Sequence, residues 1–492
     1  MRPARTRHHR RTAPLVSLPR ANEVCLELED HSTARRSAID FFQLRRLGDP
    51  QNVAARAARL ADQFVTQNRS LMALLEVRID RDYDGNDVRL LIHAGNAVGA
   101  IPLLSPTTAR PDYGLIVQPR FPWAGIGPML AEMGWRVTPT PLRLPLLHRS
   151  ERRVPAWVLS FMILVRLKAL LDSMNRRFEL IREARRAPRG AVHWAEYATR
   201  SLPNASFLSV PCTFPDLRDD RFIRGAVRHT VERQLRSLET QKEHGAFVHR
   251  LMELGQQILR RVQAVPVYVP SSTTLAVWLQ RPMRTDEFVG GLQAIEWTIE
   301  ERGLAGASDL EGIPWIMPMD QFFEAWVETI FRVISQRTGG TMRIGRKRET
   351  THPINWEPPH VSSQKALVPD LWLEWDSITM IVDAKYKRHW EEMQQHSWAN
   401  LEEQLREQHR NDLLQVLAYA NLARTPRVIA CLAYPCTLQN WSSLSERGRL
   451  VHKAELTVGS RSLYLWLTAF PMATAIERIT LPLVDELRKL RI

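Results

Sequence analysis

One run does more than any other to restrict how this chain can fold: Pro369-Asp-Leu-Trp-Leu-Glu-Trp-Asp-Ser-Ile-Thr-Met-Ile-Val-Asp-Ala-Lys385. Two apolar segments flank Asp376–Ser377, a workable turn pair. If a hairpin turns there, residues whose numbers sum to 753 lie opposite one another: Leu371 and Val382, Leu373 and Met380, Trp375 and Ile378. All six are apolar and share one face, as a half-buried β-hairpin requires. A slip of one residue would scatter them, so the pattern itself argues for the register.

The same register sets Asp370 across from Asp383 on the other face, with Lys385 two residues further along that face. Opposed residues in an antiparallel pair have Cβ atoms about 4.5–5.5 Å apart. Two carboxylates that close repel unless a cation lies between them. A hard divalent ion with oxygen ligands answers this, and Mg²⁺ prefers one or two carboxylates with water and phosphate completing its shell. Mn²⁺ is a plausible substitute, and Lys385 adds an ammonium group beside the ion. A hairpin that merely ends in surface charges is the plain alternative.

The surrounding pattern is α/β and multi-domain. Residues 52–76 read as a helix, followed by short β-like runs at Val88–His93, Val98–Leu104 and Gly114–Val117 and a helix near Ile126–Met133. Leu167, Leu170, Leu171, Met174, Phe178 and Ile181 have the spacing of one buried helix face. The stretch 189–215 reads as a connector with some strand character, and Phe222–Val262 as helical, with Leu251, Leu254, Ile258 and Val262 in one stripe. After a break at Gly303–Pro318, Asp320 is the expected N-cap of a helix with Phe323, Val327, Ile330 and Ile334 on its apolar face, ended by Gly339–Gly340. Beyond the hairpin come a polar helix through Ala423 and strands at Val428–Tyr434 and near Leu463–Thr468. The expected organisation is a basic disordered arm (1–22), a small α+β module (23–150), a mainly helical middle region (151–312) and a C-terminal unit (313–492) with a mixed sheet flanked by helices.

Charge narrows the partners. The excess of 67 Lys+Arg over 53 Asp+Glu gives a formal net charge of +14, which favours polyanions through phosphate contacts. Arg343, Arg346, Lys347 and Arg348 lie just before the hairpin and Lys387 just after it; a phosphate-tracking role is weighed there against a solvated loop, and Tyr386 could extend the same surface. Cys25, Cys212, Cys431 and Cys436 make no disulfide framework and no zinc spacing, so they read as reduced thiols of a cytoplasmic chain. The apolar run Pro155–Val165 is too short to span a bilayer. His389, His396 and His409 have no metal-like spacing and read as surface residues; Trp390 and Trp398 read as packing residues.

Pro-Asp, a spacer and Asp-x-Lys resemble the PD-(D/E)xK nuclease superfamily. Gln415-Val-Leu-Ala-Tyr419 looks like the Q-x-x-x-Y helix motif of several of its branches, with both polar residues on one helix face. Phe323-Glu324 looks like its first-helix acidic position, with Glu328 a competing candidate one turn on. The run Val382-Asp-Ala-Lys-Tyr-Lys387, the helix Asp412–Ala420 and the strand ending Ala433-Tyr-Pro435 are similar to the McrC-type subunit of 5-methylcytosine (McrBC) restriction systems. Weaker similarity extends upstream through Val98–Ile101 and Leu115–Arg120, where that family usually has lysine in place of Arg120.

The resemblance implies a restriction-endonuclease-like core and a Mg²⁺-dependent endodeoxyribonuclease. It implies metal ligands Asp370, Asp383 and Glu324, and catalytic roles for these with Lys385, Gln415 and Tyr419. It also implies modified double-stranded DNA as substrate and a McrB-like AAA+ GTPase as a separate partner. Gly340–Gly345 has P-loop spacing, but Arg346-Lys347 stands where Lys-Ser/Thr is needed, so no nucleotide site is expected in this chain. A stand-alone repair or recombination nuclease is the alternative. A non-catalytic DNA-binding scaffold is a third, and the presence of Asp370, Asp383 and Lys385 speaks against it.

Overall fold

A computed structural model describes residues 24–44, 50–84, 87–142, 144–145, 155–174, 177–218, 221–242, 245–280, 285–301, 303–304, 312–388, 403–458, 461–473 and 475–490. The expected basic arm, His389, His396, Trp390 and Trp398 fall outside these.

The N-terminal part runs β1 (Val24–Glu29), β2 (Thr33–Ser37), α1 (Pro50–Leu74), β3 (Arg78–Asp84), β4 (Asp87–His93), β5 (Ala97–Leu103), β6 (Tyr113–Gln118), α2 (Trp123–Glu132) and β7 (Thr140–Pro141). In α1 the residues Val53, Ala57, Leu60, Ala61 and Phe64 fall at helical spacing and are buried. Strand β5 is buried along its whole length, as a strand covered on both faces must be. It pairs antiparallel with β6, and β1 pairs parallel with β6. Strands β2, β4 and β3 form a separate small sheet.

Helix α3 (Trp157–Ser173) starts the middle region and is buried almost all round, from Trp157 and Val158 to Leu170 and Leu171. The helix expected to continue to Ile181 stops at Ser173; Phe178 and Ile181 lie in β8 (Arg177–Arg185). An apolar spacing that suits the next turn of a helix was satisfied instead by nine residues of antiparallel pairing with a later strand. The remaining elements are β9 (Ala191–Val192), β10 (Val210–Arg218), α4 (Arg221–Glu239), α5 (Ala246–Val262), α6 (Ser272–Leu279) and α7 (Asp286–Ile299). The stripe Leu251, Leu254, Ile258 and Val262 on α5 is buried, and α7 and α5 pack against α3.

The stretch read as a break before the C-terminal unit contains β11 (Trp315–Pro318), which joins the N-terminal sheet between β5 and β7. Gly99 of β5 has φ +155, and a Cβ there would lie 2.1 Å from Trp315 O, so this close pairing requires glycine. Helix α8 (Met319–Thr338) follows directly. Its N-cap is Pro318 rather than Asp320, because β11 runs without a loop into the helix and carries Asp320 into the first turn. There its carboxylate accepts from Gln321 N at 2.8 Å and lies where the helix dipole favours a negative charge. Gly339, in the left-handed conformation at φ +71, ends the helix as expected.

The C-terminal sheet comprises β12 (Thr341–Ile344), β13 (Leu371–Glu374), β14 (Ile378–Ala384), β15 (Arg427–Cys436), β16 (Val451–Val458) and β17 (Arg461–Pro471), in the order β12-β13-β14-β15-β17-β16. Strands β14, β15 and β17 run parallel to one another, and the outer pairs are antiparallel. Helix α9 (Glu403–Ala420) packs on β15 and β14, while α10 (Leu438–Glu446) and α11 (Ile476–Lys489) complete the layers. The α/β class with a mixed sheet flanked by helices holds.

The hairpin register holds too: Leu371 faces Val382 and Leu373 faces Met380. The expectation of a half-buried hairpin does not. Trp372, on the other face, is as buried as its neighbours, and β14 is buried from Ile378 through Asp383. β12 and β15 flank the pair edge to edge, and helices cover both faces, so the site lies inside the sheet rather than on its rim.

Candidate active site

Asp370 is placed by two backbone contacts. Its carbonyl accepts from Gly345 N at 2.8 Å, and its Oδ2 accepts from Ala384 N at 2.7 Å across the hairpin. Gly345 must be a glycine for this approach, since a Cβ there would sit 2.4 Å from Pro369 O. Asp383, only 2% exposed, emerges from β14 opposite. Lys385 N continues the ladder by donating to Ala433 O at 2.8 Å, which turns the Lys385 side chain to the same side as the two acids.

The ammonium group is held from two sides. Lys385 Nζ lies 2.7 Å from Asp383 Oδ2 and donates to Gln415 Oε1 at 2.9 Å. Gln415 Nε2 in turn donates to the Tyr419 hydroxyl at 2.8 Å. The four-residue spacing of Gln415 and Tyr419 on α9 puts both on one face, aimed at β14. These residues and Glu324 line one cleft of about 860 Å³.

Electrostatically the cleft is overloaded with acid. Burial pushes the Asp370 carboxyl well above its usual range, and the charges of Asp383 and Glu324 push it further. Burial also raises Asp383, against the pull of Lys385. Glu324 is raised by burial as well, partly offset by Arg346. Burial works against the charge of Lys385, but Asp383 and then Asp370 hold its pKa above the ordinary value.

Glu324 and Glu328 separate cleanly. Glu328 is 1% exposed and enclosed by three guanidinium groups, from Arg136, Arg332 and Arg346, the last at 2.8 Å. It is fully engaged there. Glu324 lines the cleft and feels the charge of Asp383. Among the described residues no three acidic, histidine or cysteine side chains are already gathered closely enough to grip an ion. The chemistry of the donors nevertheless suits a hard divalent cation: the buried Asp383, the half-buried Asp370 opposite it and Glu324 all line the same cleft, with Lys385 as a local counter-charge.

The basic residues divide. Arg343 Nη2 donates to Glu374 Oε1 at 2.7 Å, with its guanidinium 5.1 Å over the Trp372 ring. Arg346 is engaged by Glu328, while Lys347 and Arg348 are exposed on a short turn. Lys387 Nζ donates to Asp412 Oδ1 at 2.6 Å. Asp412, 4% exposed, thus holds a lysine that lines the cleft, a role not expected from the sequence. Its position three residues before Gln415, on the same helix face, was the available signal.

Two residues read as surface groups are not. His409 is 5% exposed and lies 3.3 Å from the Tyr434 hydroxyl, because α9 lays that face on β15. Tyr386 is 3% exposed and donates its hydroxyl to Asp30 of the N-terminal part, so it extends a buried interface instead of a DNA-facing surface.

A family model described as "McrBC 5-methylcytosine restriction system component" matches residues 136–435. That is well over half of the chain. The chain belongs to this family. The matched span carries Glu324, Asp370, Asp383, Lys385, Gln415 and Tyr419, and it starts after most of the N-terminal sheet.

Among solved structures, the chain is similar to a refined half-complex from a tetradecameric assembly of Thermococcus gammatolerans McrB AAA+ hexamers with bound McrC, at 12% identity and a TM-score of 0.43, covering 95% of this chain and 100% of that one. A cryo-EM structure of the Thermococcus gammatolerans McrBC complex is similar at 13% identity and a TM-score of 0.25, covering 63% of this chain and 88% of that one. Neither superposes closely enough for a shared fold to follow. No curated protein matches. Among the described residues no helix is long and apolar enough to cross a membrane.

Proposed function

We propose that this chain is the McrC-type nuclease subunit of a modification-dependent restriction system: a Mg²⁺-dependent DNA endonuclease driven by a separate McrB-like AAA+ GTPase. The observation that carries this reading is the single cleft into which Asp370, Asp383 and Lys385 converge, with the ammonium group held between Asp383 and Gln415.

Asp370, Asp383 and Glu324 are the residues that would hold the ion, with Mn²⁺ able to replace Mg²⁺. Bound there, it supplies Lewis-acid polarisation of the scissile phosphate and a water of lowered pKa. Lys385 presents a fixed cation to the phosphate oxygens and stabilises the charge that grows on them in the transition state. Gln415 and Tyr419 hold that cation in place, so it need not reorganise as charge develops. Lys387, held by Asp412, extends the polar lining. Exposed Lys347 and Arg348, with Arg343 and Arg346 beside them, would follow the DNA backbone. In this reading residues 313–492 are the catalytic unit, 23–150 the partner-docking module and 151–312 the helical connection between them.

The test is cleavage of methylated and unmethylated plasmid DNA, with and without GTP and Mg²⁺, after co-purification with a McrB-like AAA+ GTPase. Asp383→Ala and Lys385→Ala should each slow cleavage at least about a hundred-fold while leaving partner association intact. Unaltered cutting by either variant refutes the catalytic assignment. Robust cleavage by the chain alone, without GTP, replaces the motor-driven reading with a stand-alone nuclease.

A further inference from the structure

The N-terminal part grips the candidate site at two separate points, one at each end of α2. Just before α2, Arg120 is almost fully buried, its side chain 5% exposed. Its backbone N–H donates to Asp30 Oδ1 at 3.3 Å, and its Nη2 donates to Lys387 O at 3.0 Å. The guanidinium lies 4.8 Å over the Tyr386 ring, whose hydroxyl donates to the fully buried Asp30. The two residues that follow Lys385 are therefore clamped by the N-terminal sheet.

Just after α2, Arg136 reaches the other half of the site. It donates to Glu328 and to Thr329 Oγ1, while its Nε donates to Met133 O at 2.7 Å at the end of α2. Glu328 lies one helical turn beyond Glu324 on α8. The start of α8 is anchored to the same sheet, since Met319 N donates to Asn96 O at 2.9 Å. Between the two arginines α2 has ten residues, a rod of about 15 Å. It presses on the nuclease sheet so closely that a Cβ on Gly125 would lie 2.5 Å from Met472 O.

Buried charged networks of this kind are costly to assemble, and apolar contacts would join two modules as well. What a polar clamp adds is a defined geometry. The clamps hold the helix bearing Glu324 and the segment that carries Asp383 and, just past the end of β14, Lys385 separately, at opposite ends of one short helix. We infer that α2 is a strut, with Arg120 and Arg136 as positioning residues, that sets the spacing between Glu324 and the Asp370–Asp383 pair and so decides whether three carboxylates can share one ion. This rests on the nuclease reading. It makes the N-terminal part a determinant of metal binding as well as a docking module.

The test uses the full chain with Arg136→Gln, Arg136→Lys and Tyr386→Phe. Tyr386→Phe removes a single hydroxyl and Arg136→Gln leaves Arg332 and Arg346 on Glu328, so both should fold. Mn²⁺ affinity is measured by electron paramagnetic resonance on the chain alone, and kcat and KM by plasmid cleavage with the GTPase partner. Arg136→Gln and Tyr386→Phe should weaken Mn²⁺ binding and lower kcat, each by about ten-fold or more. KM for DNA and the melting midpoint should stay near wild type, and Arg136→Lys should recover most of the loss.

Variants that bind Mn²⁺ and cleave like wild type overturn the strut. So does a loss that follows the melting midpoint or appears only in KM. Wild-type chain that binds no Mn²⁺ overturns the nuclease reading instead, and the two failures are told apart by that control.

Discussion

Replacing Asp370 with asparagine should stabilise the metal-free chain at alkaline pH. Asp370 and Asp383 oppose each other across the hairpin, where cross-strand Cβ atoms sit about 5 Å apart. Two negative charges at about that distance and an effective dielectric near 20 repel by roughly 3 kcal/mol. Lys385 lies against Asp383 and is hydrogen-bonded to Gln415, so it offsets only part of this. The amide of Asp370→Asn keeps an oxygen for Ala384 N–H, the one side-chain hydrogen bond that Asp370 makes among the described residues. Removing the charge should therefore gain about 1–3 kcal/mol, the upper figure being the full repulsion.

The pH dependence fixes the sign. Burial and like charge raise both carboxyls above their unfolded values. Between the ordinary carboxylate pKa, about 4, and the raised values, the folded chain holds protons that the unfolded chain has released. In that window stability falls as pH rises. Wild type and variant should thus differ little at the acid end, and the advantage of Asp370→Asn should grow with pH. The assay is urea unfolding in EDTA from pH 5 to pH 9. Mg²⁺ at about a thousand times the wild-type Kd should reverse the ranking, because wild type then gains about 4.1 kcal/mol while the variant gains far less. A variant less stable than wild type at pH 8 without metal, or an advantage that ignores pH, refutes the argument.

Two further outcomes follow from the same geometry. Glu324→Gln should weaken Mn²⁺ binding and leave the melting midpoint close to wild type. Glu328→Gln should cost about 3–5 kcal/mol by stripping the counter-charge from three arginines, and should weaken Mn²⁺ binding less than Glu324→Gln does, only through the loosened Arg136 clamp; a Glu328→Gln chain as stable as wild type would overturn their separation. Gly99→Ala should destabilise the pairing of β5 with β11 by more than about 1 kcal/mol, through the positive φ and the clash with Trp315 O; an unchanged unfolding midpoint counts against that close pairing.

The hairpin and its register were legible because a period of two leaves one pairing that keeps six apolar residues together. Opposed aspartates and a lysine two residues on then follow from pleat geometry alone. The Gln415–Tyr419 pair was legible for the same kind of reason, one helical turn being a local quantity. Family membership also lay within reach, since the motif residues sit in short contiguous runs.

What sequence could not supply was anything decided by distant chain. Glu324 and Glu328 are equivalent in a helix pattern; they part because Arg136, nearly two hundred residues earlier, joins Arg332 and Arg346 around one of them. Tyr386 and His409 look like surface groups until Asp30 and Tyr434 are packed against them. The helix expected to reach Ile181 yields to a strand because its pairing partner lies some thirty residues away. Local spacing determines which face a side chain occupies. Only the packing of separate modules decides whether that face meets water, a counter-charge or the cleft, because burial and Coulomb energy depend on neighbours that local spacing does not reveal.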